Sequence, residues 1–239
     1  MKCIFYIIIL IIILLCILRK RFSSLKYWEK RNKIIIQNLK IMLEDIYFNY
    51  LDVPNKFLSW GTLLGAVRNN SIIPFDDDID IGIYCKKNEI NDIIKKIKEK
   101  FNFNKKYIVK DIFFGLKIIN INNNANIDIL FITPNKNDNK AKYFYEEANI
   151  KWPKEFYYQN ELEKLNKIKL YNKYYNIPNN SNNILRRFYG DDSINTIRLT
   201  HAHIVDFNNL NNNLTLFNWL EQGAIFLFSF IKLTEVYNY

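Results

Sequence analysis

The chain opens on an uninterrupted apolar run from Cys3 to Leu18, bounded by Lys2 and by Arg19-Lys20-Arg21. At about 1.5 Å per residue, its roughly 16 residues span ~24 Å, against a hydrocarbon core of ~30 Å. Snorkelling of Lys2 and Arg19 extends that reach. The Arg-Lys-Arg triplet stands where a signal peptide needs small residues for cleavage, so residues 1–22 are expected to form an uncleaved single-pass anchor. Ile35, Leu39, Met42, Leu43 and Ile46 then recur at helical spacing and predict an amphipathic stem over residues 23–52.

Beyond the stem the period changes repeatedly. Short patterns predict a strand at Lys56–Trp60, a helix at Leu63–Arg68 and a strand at Pro74–Tyr84. Asn88–Phe101 places Ile90, Ile93, Ile94 and Ile97 on one helical stripe. Lys106–Val109, Phe113–Ile121 and Asn126–Ile132 read as strands separated by Asn-rich turns. Further on, Lys167–Ile177 reads as a hairpin, and Ser181–Tyr189 as a helix stopped by Gly190. Residues 53–210 thus form an α/β domain, of mixed α+β character, with a mixed sheet and flanking helices. Residues 211–239 hold the apolar stretch Ala224–Leu233, which at about ten residues suits a docking segment better than a second membrane span.

The net charge of +10 brings nucleic acid to mind. Lys, Asn, Ile, Tyr and Phe are over-used together, however, as an AT-rich coding sequence would produce, and the basic residues are scattered rather than gathered in one patch. No nucleic-acid partner is expected, while an anionic substrate remains compatible with the charge. Three cysteines, two of them in the apolar run, give neither a disulfide framework nor zinc spacing. The positive-inside rule places the main domain in the cytoplasm, whereas sequons at Asn69, Asn179 and Asn213 point to the opposite side.

The stretch WGTLLGAVRNNSIIPFDDDIDIGIY, residues 60–84, carries the chemistry. Asp76, Asp77, Asp78 and Asp80 fall within five positions. On a strand, side chains alternate between faces, so Asp76, Asp78 and Asp80 share one face while Asp77, Ile79, Ile81 and Ile83 share the other. Like charges roughly 6–7 Å apart are costly unless a cation lies between them. An EF-hand is excluded, because Ile81 and Lys87 stand where its turn Gly and bidentate Glu belong. A further acid, Asp128, sits in the apolar strand Asn-Ile-Asp-Ile-Leu-Phe-Ile. Two acids at i and i+2 with a third on a neighbouring strand suit two Mg²⁺ ions about 3.5–4 Å apart. Gly61 and Thr62 offer backbone N–H groups at a helix start to phosphate oxygens, and Arg68 offers a countercharge. His201, His203 and Asp206 fit either a metal site or ordinary polar packing.

The 60–84 block resembles the signature of the LicD family, which includes bacterial phosphocholine transferases and fukutin-related proteins within the wider nucleotidyltransferase-fold superfamily. The later IDILFI and IPNNSNNILRRFYGDD segments resemble the family's third-acid strand and Pro…Tyr-Gly element, in the same order. The resemblance implies a nucleotidyltransferase-like fold, with Asp78, Asp80 and Asp128 as catalytic, metal-binding carboxylates. It also implies that Gly61 and Thr62 form the phosphate-side turn, while Arg68, by its charge, and Asp76, by its place on the acidic face, are expected to line the substrate side. The implied cofactor is Mg²⁺, or Mn²⁺ in its place. The implied partners are a CDP-activated alcohol donor, a glycan acceptor and a membrane, that of the Golgi or endoplasmic reticulum in a eukaryote. The implied reaction moves phosphocholine or ribitol phosphate onto a glycan hydroxyl and releases CMP. Two alternatives stand beside it: a catalytically inactive glycan-binding relative, and a nucleotidyltransferase with a different acceptor. Phe75 stands where the family often has Trp, and no cysteines correspond to the fukutin-like zinc insertion.

Overall fold

The computed structural model describes residues 2–22, 25–195, 197–198 and 232–233. Two units emerge, one of Ile34–Ile194 and one of Met1–Lys33 with Asn195–Tyr239. In the second unit lie α1 (Lys2–Phe22) and α2 (Leu25–Arg31). The apolar side chains of α1 from Ile4 to Leu14 and Ile17 are almost all exposed. The expected single-pass anchor is not supported: among the described residues, no helix is long and apolar enough to cross a membrane. The physical reason is length, since the apolar run stops at Leu18 before three consecutive cations and falls several ångströms short of a bilayer core.

The Ile34–Ile194 unit is built around a mixed sheet. The predicted stem is two separate helices, α2 and then α3 (Lys33–Asp45), the latter followed by a π-helical turn at Ile46–Tyr50. Next come β1 (Lys56–Leu58), α4 (Trp60–Asn69) and β2 (Ile79–Tyr84). A 3₁₀ turn at Lys87–Glu89 leads into α5 (Ile90–Phe101). Three strands follow, β3 (Tyr107–Ile112), β4 (Gly115–Asn120) and β5 (Asn126–Pro134). The order across the sheet is β1-β2-β5-β4-β3, with β2 and β5 parallel and the other neighbours antiparallel.

The polar, aromatic region after Pro134 contains elements that its pattern did not announce. These are β6 (Lys140–Tyr143), α6 (Glu146–Lys151), β7 (Tyr157–Tyr158) and α7 (Gln159–Glu163). β6 extends the sheet by pairing with the far end of β5 and with β7. The predicted hairpin is present as β8 (Asn166–Leu170) and β9 (Lys173–Ile177), followed by α8 (Ser181–Tyr189). Gly190, at φ +97°, ends α8 in a conformation that favours glycine. A two-residue pair, β10 (Ile197–Arg198) with β11 (Lys232–Leu233), lies in the other unit. His201, His203, Asp206 and most of the 211–239 segment lie outside the described residues.

The core follows from the strand period. Ile79, Ile81 and Ile83 of β2 and Ile127, Ile129 and Phe131 of β5 have no exposed surface. Each such side chain contributes about 1.5–3 kcal/mol on removal from water. The opposite face of the sheet carries a second cluster built on Phe57, Leu130, Ile132, Tyr143 and Tyr157. β2 has room for Phe57 only because residue 82 is glycine. A Cβ there would meet the Phe57 ring at 2.5 Å.

Candidate functional site

The acidic segment is not one continuous strand. Asp76 N–H donates to the Ile73 carbonyl at 2.9 Å, closing a turn after Pro74, and the strand starts only at Ile79. Pro74 has no N–H for a ladder, and three successive carboxylates are poor strand formers. Asp76 and Asp78 therefore reach the site from a turn and Asp80 from β2, rather than all three by alternation along one strand.

Register supplies the rest. Asp80 pairs with Asp128 across the parallel β2–β5 ladder, and Asp128 pairs with Lys117 across the antiparallel β5–β4 ladder. A row running Asp80, Asp128, Lys117 thus crosses three strands at one level. The carboxylates of Asp78, Asp80 and Asp128 offer oxygens that all lie within 4.8 Å of one another, and Asp76, Asp77 and Asp78 form a second such group. Asp76, Asp80 and Asp128 are buried, while Asp78 keeps part of its surface open to solvent.

Crowding of like charge sets the electrostatics. Burial first, and then Asp76, Asp77 and Asp128, push the Asp78 carboxyl well above the usual carboxylate range. Burial, Asp78, Asp76 and Asp128 do the same to Asp80. Asp128 is also raised by burial, although Lys117 opposes the shift from 2.9 Å. Burial works against the Lys117 ammonium, but Asp128, Asp78 and Asp77 outweigh it and hold its pKa above the ordinary value. Lys117 is the cation that the ladder sets directly against Asp128 in this row.

The start of α4 is fitted to this centre. A Cβ on Gly61 would lie 2.9 Å from Asp76 Oδ2 and 3.5 Å from Asp80 Oδ2, so only glycine lets the helix start approach the acids. Thr62 N–H points to Asp80 Oδ2 at 3.4 Å, and Thr62 Oγ1 accepts a hydrogen bond from the Asp80 backbone N–H at 2.8 Å. Arg68, in the last turn of α4, donates to Asn69 Oδ1 at 2.7 Å and reaches the Ser193 carbonyl at 3.5 Å. Gly61, Thr62 and Asp76 are thus brought against the acidic centre, while Arg68 lies in the last turn of α4 and bonds both Asn69 and Ser193. The helix ends at Asn70, whose φ of +54° is a left-handed cap that asparagine tolerates.

The domain profile described as LicD/FKTN/FKRP, nucleotidyltransferase domain, matches residues 55–180, more than half of the 239-residue chain. The chain belongs to the LicD family. An uncharacterized protein of Rickettsia typhi is 36% identical over 117 residues, covering 47% of this chain and 32% of that protein. A second, from Rickettsia prowazekii, is 35% identical over 112 residues, covering 46% of this chain and 37% of that protein. The chain therefore spans about a third of the length of these curated relatives. Among solved structures, a chain of the E. coli MS115-1 CdnC:HORMA-deltaN complex aligns with a TM-score of 0.28 and 10% identity, over 87% of this chain and 59% of that one. That likeness supports no inference.

Residues 55–180 thus carry the family's nucleotidyltransferase domain, and the acidic centre lies within it. Several neighbours of the LicD acids escaped the sequence reading. Lys117 lies inside a predicted strand, but only strand pairing reveals that it faces Asp128. Tyr189 and Tyr157 sit within electrostatic reach of Asp80, and both also feel Glu155, a residue that no motif singled out.

Proposed function

We propose that this LicD-family protein is a divalent-metal-dependent transferase that moves a phospho-alcohol, of the phosphocholine or ribitol phosphate type, from a CDP-activated donor to a glycan hydroxyl. The observation that carries the reading is the convergence of Asp78, Asp80 and Asp128 from a turn and two parallel strands, with oxygens within 4.8 Å of one another. Acids held so close in a buried site destabilise one another unless a cation neutralises them, and Lys117 supplies only one charge. The residues therefore fit Mg²⁺, or Mn²⁺ in its place, with Asp78, Asp80 and Asp128 as the holders. When bound, such an ion supplies charge neutralisation of the donor pyrophosphate.

The chain's own residues account for the remaining requirements. The Gly61–Thr62 helix start presents backbone N–H groups beside the acids, where an anionic donor phosphate is favoured. Asp76 borders the same space, and Arg68 offers positive charge from the end of α4. In the proposed step the acceptor oxygen bonds to the distal phosphorus and gives up its proton. The bond from that phosphorus to the bridging oxygen breaks, and CMP carries away the electron pair. A membrane location belongs to the same proposal and rests on the exposed apolar side chains of α1 rather than on a span.

Incubating the full chain with Mg²⁺ and a panel of CDP-alcohols, and scoring CMP release by mass spectrometry, tests the reading. Release from at least one donor is expected, with loss of release on Asp80→Asn. Folded protein that releases CMP from none of them would leave the reading without support and favour a binding protein.

A further inference from the structure

The first turn of α4 carries a helix cap that is built and not used. Ser59 has the extended backbone of an N-cap, φ −126° and ψ 175°, and its carbonyl accepts the Leu63 N–H at 2.8 Å. A serine in this conformation ordinarily turns its hydroxyl onto the N–H of the second or third helical residue, here Gly61 and Thr62. The Ser59 side chain makes no such bond. Its hydroxyl lies instead 2.7 Å from the Tyr157 hydroxyl, and both residues are buried. Thr62 N–H meets Asp80 Oδ2 at a long 3.4 Å in place of the cap.

Tyr157 is fixed where it can hold the hydroxyl away. β7 pairs with β6 through Tyr157 and Ala141, and the Tyr157 ring packs edge-on against Phe57 at 5.6 Å and Phe188 at 5.3 Å. β6 sends a second tyrosine to the next residue of the helix start. Tyr143 Oη accepts from Trp60 Nε1 at 2.6 Å and donates to Glu155 Oε2 at 2.9 Å. Trp60 keeps a φ of +39°, a left-handed conformation that a bulky residue adopts at a cost. On the other side, Ser59 N–H donates to the Asp80 carbonyl at 3.1 Å. Ser59 and Trp60 are therefore tied to β2, β6 and β7 at once, directly before Gly61.

We propose that Tyr157 is a positioning residue that withholds the Ser59 cap, so that the Gly61 and Thr62 N–H groups stay available to the donor phosphate. A hydroxyl turned onto either amide would satisfy the donors that an anion must meet, and the ligand would have to displace it. An uncapped first turn costs the ligand-free chain some stability, which phosphate oxygens offset when they bind. Tyr143 and Glu155 support the arrangement by holding Trp60 between the cap residue and Gly61. The inference rests on the transfer reading for the identity of the anion, but not for the state of the cap.

Amide hydrogen exchange in the ligand-free full chain, read by NMR at Gly61 and Thr62, tests the cap directly. Tyr157→Phe keeps the ring and its packing and removes only the hydroxyl. Ser59 Oγ is then expected to turn onto the helix start and slow exchange at Gly61 or Thr62 about fivefold, the factor that a capping bond is worth. Adding Ser59→Ala to the same chain should abolish that slowing. Binding of CDP in the presence of Mg²⁺, measured by calorimetry, should weaken about fivefold in Tyr157→Phe and recover when Ser59→Ala is added. A loss caused by packing alone would not be recovered by a second truncation. Unchanged exchange in Tyr157→Phe, or weakened CDP binding that Ser59→Ala fails to restore, overturns the proposal. If the exchange pattern holds while CDP and Mg²⁺ bind to no variant, the withheld cap stands and the transfer reading falls.

Discussion

At the scale of single residues, the centre sets stability against chemistry. Asp80 is buried beside Asp78, Asp76 and Asp128, so in the metal-free protein its charge opposes folding. Asp80→Asn should stabilise the metal-free chain by about 1–3 kcal/mol in denaturant unfolding while lowering CMP release by roughly two orders of magnitude or more. A variant that is less stable and still active would contradict both halves. Glu155 gives a pH signature. Its carboxyl is pushed from the ordinary 4.5 to about 7, mainly by burial, with the Tyr143 and Trp60 hydrogen bonds opposing the shift. A raised carboxyl leaves stability intact below about pH 4.5 and removes it as pH climbs through about 7. Glu155→Gln should therefore recover roughly 2–3 kcal/mol at about pH 8 relative to the parent, and little at about pH 5. Unfolding midpoints at the two pH values check the difference. Neither Glu155 nor Lys117 was legible in the sequence, because a lone Glu in a polar stretch and a Lys in a strand carry no spacing signal. Asp80 and Asp128 stood out because each sits between two isoleucines, and Asp78 because it closes a run of three acids.

At the scale of elements, β2 and its neighbours are positioned by close backbone approach. Phe57 of β1 fills the space over Gly82, where an added Cβ would come within 2.5 Å of its ring. Gly82→Ala should cost about 1–3 kcal/mol by overpacking, seen as a lower urea midpoint with an unchanged slope. Trimming Phe57 to Leu in the same chain should recover part of that loss, which a purely local strand effect would not. The strands of the sheet were readable because isoleucines repeat at a period of two in β2 (Ile79, Ile81, Ile83) and at the start of β5 (Ile127, Ile129). The starting point of β2 was not, since the sequence carried the strand back to Pro74. A turn closed by the Asp76 N–H and the Ile73 carbonyl ends that extension. Between Lys140 and Glu163 the short elements are held by tertiary contacts, such as Arg187 to Glu161 at 2.7 Å and Ser59 Oγ to Tyr157 Oη at 2.7 Å. Intrinsic pattern is too weak there to announce them.

At the scale of the whole molecule, an ion held as proposed would make folding and metal binding one equilibrium. Mg²⁺ at a hundred times its Kd should add about 2.7 kcal/mol of stability and raise Tm by several degrees. Because Asp78, Asp80 and Asp128 are all raised, protons compete for the same oxygens, and the Tm gain should shrink as pH is lowered from about 8 to about 6. A gain independent of pH, or one retained in Asp80→Asn, would place the ion elsewhere. By itself the sequence determined the family, the mixed α/β character and the identity of the acids, because those depend on residue type and local spacing. Tertiary structure alone decided that Asp80, Asp128 and Lys117 share one level of the sheet, since register is set by pairing between segments dozens of residues apart. It likewise decided that Trp60, Trp152 and Glu155 meet beside the acids, because burial and the resulting electrostatics belong to the packed molecule and to no stretch of the chain.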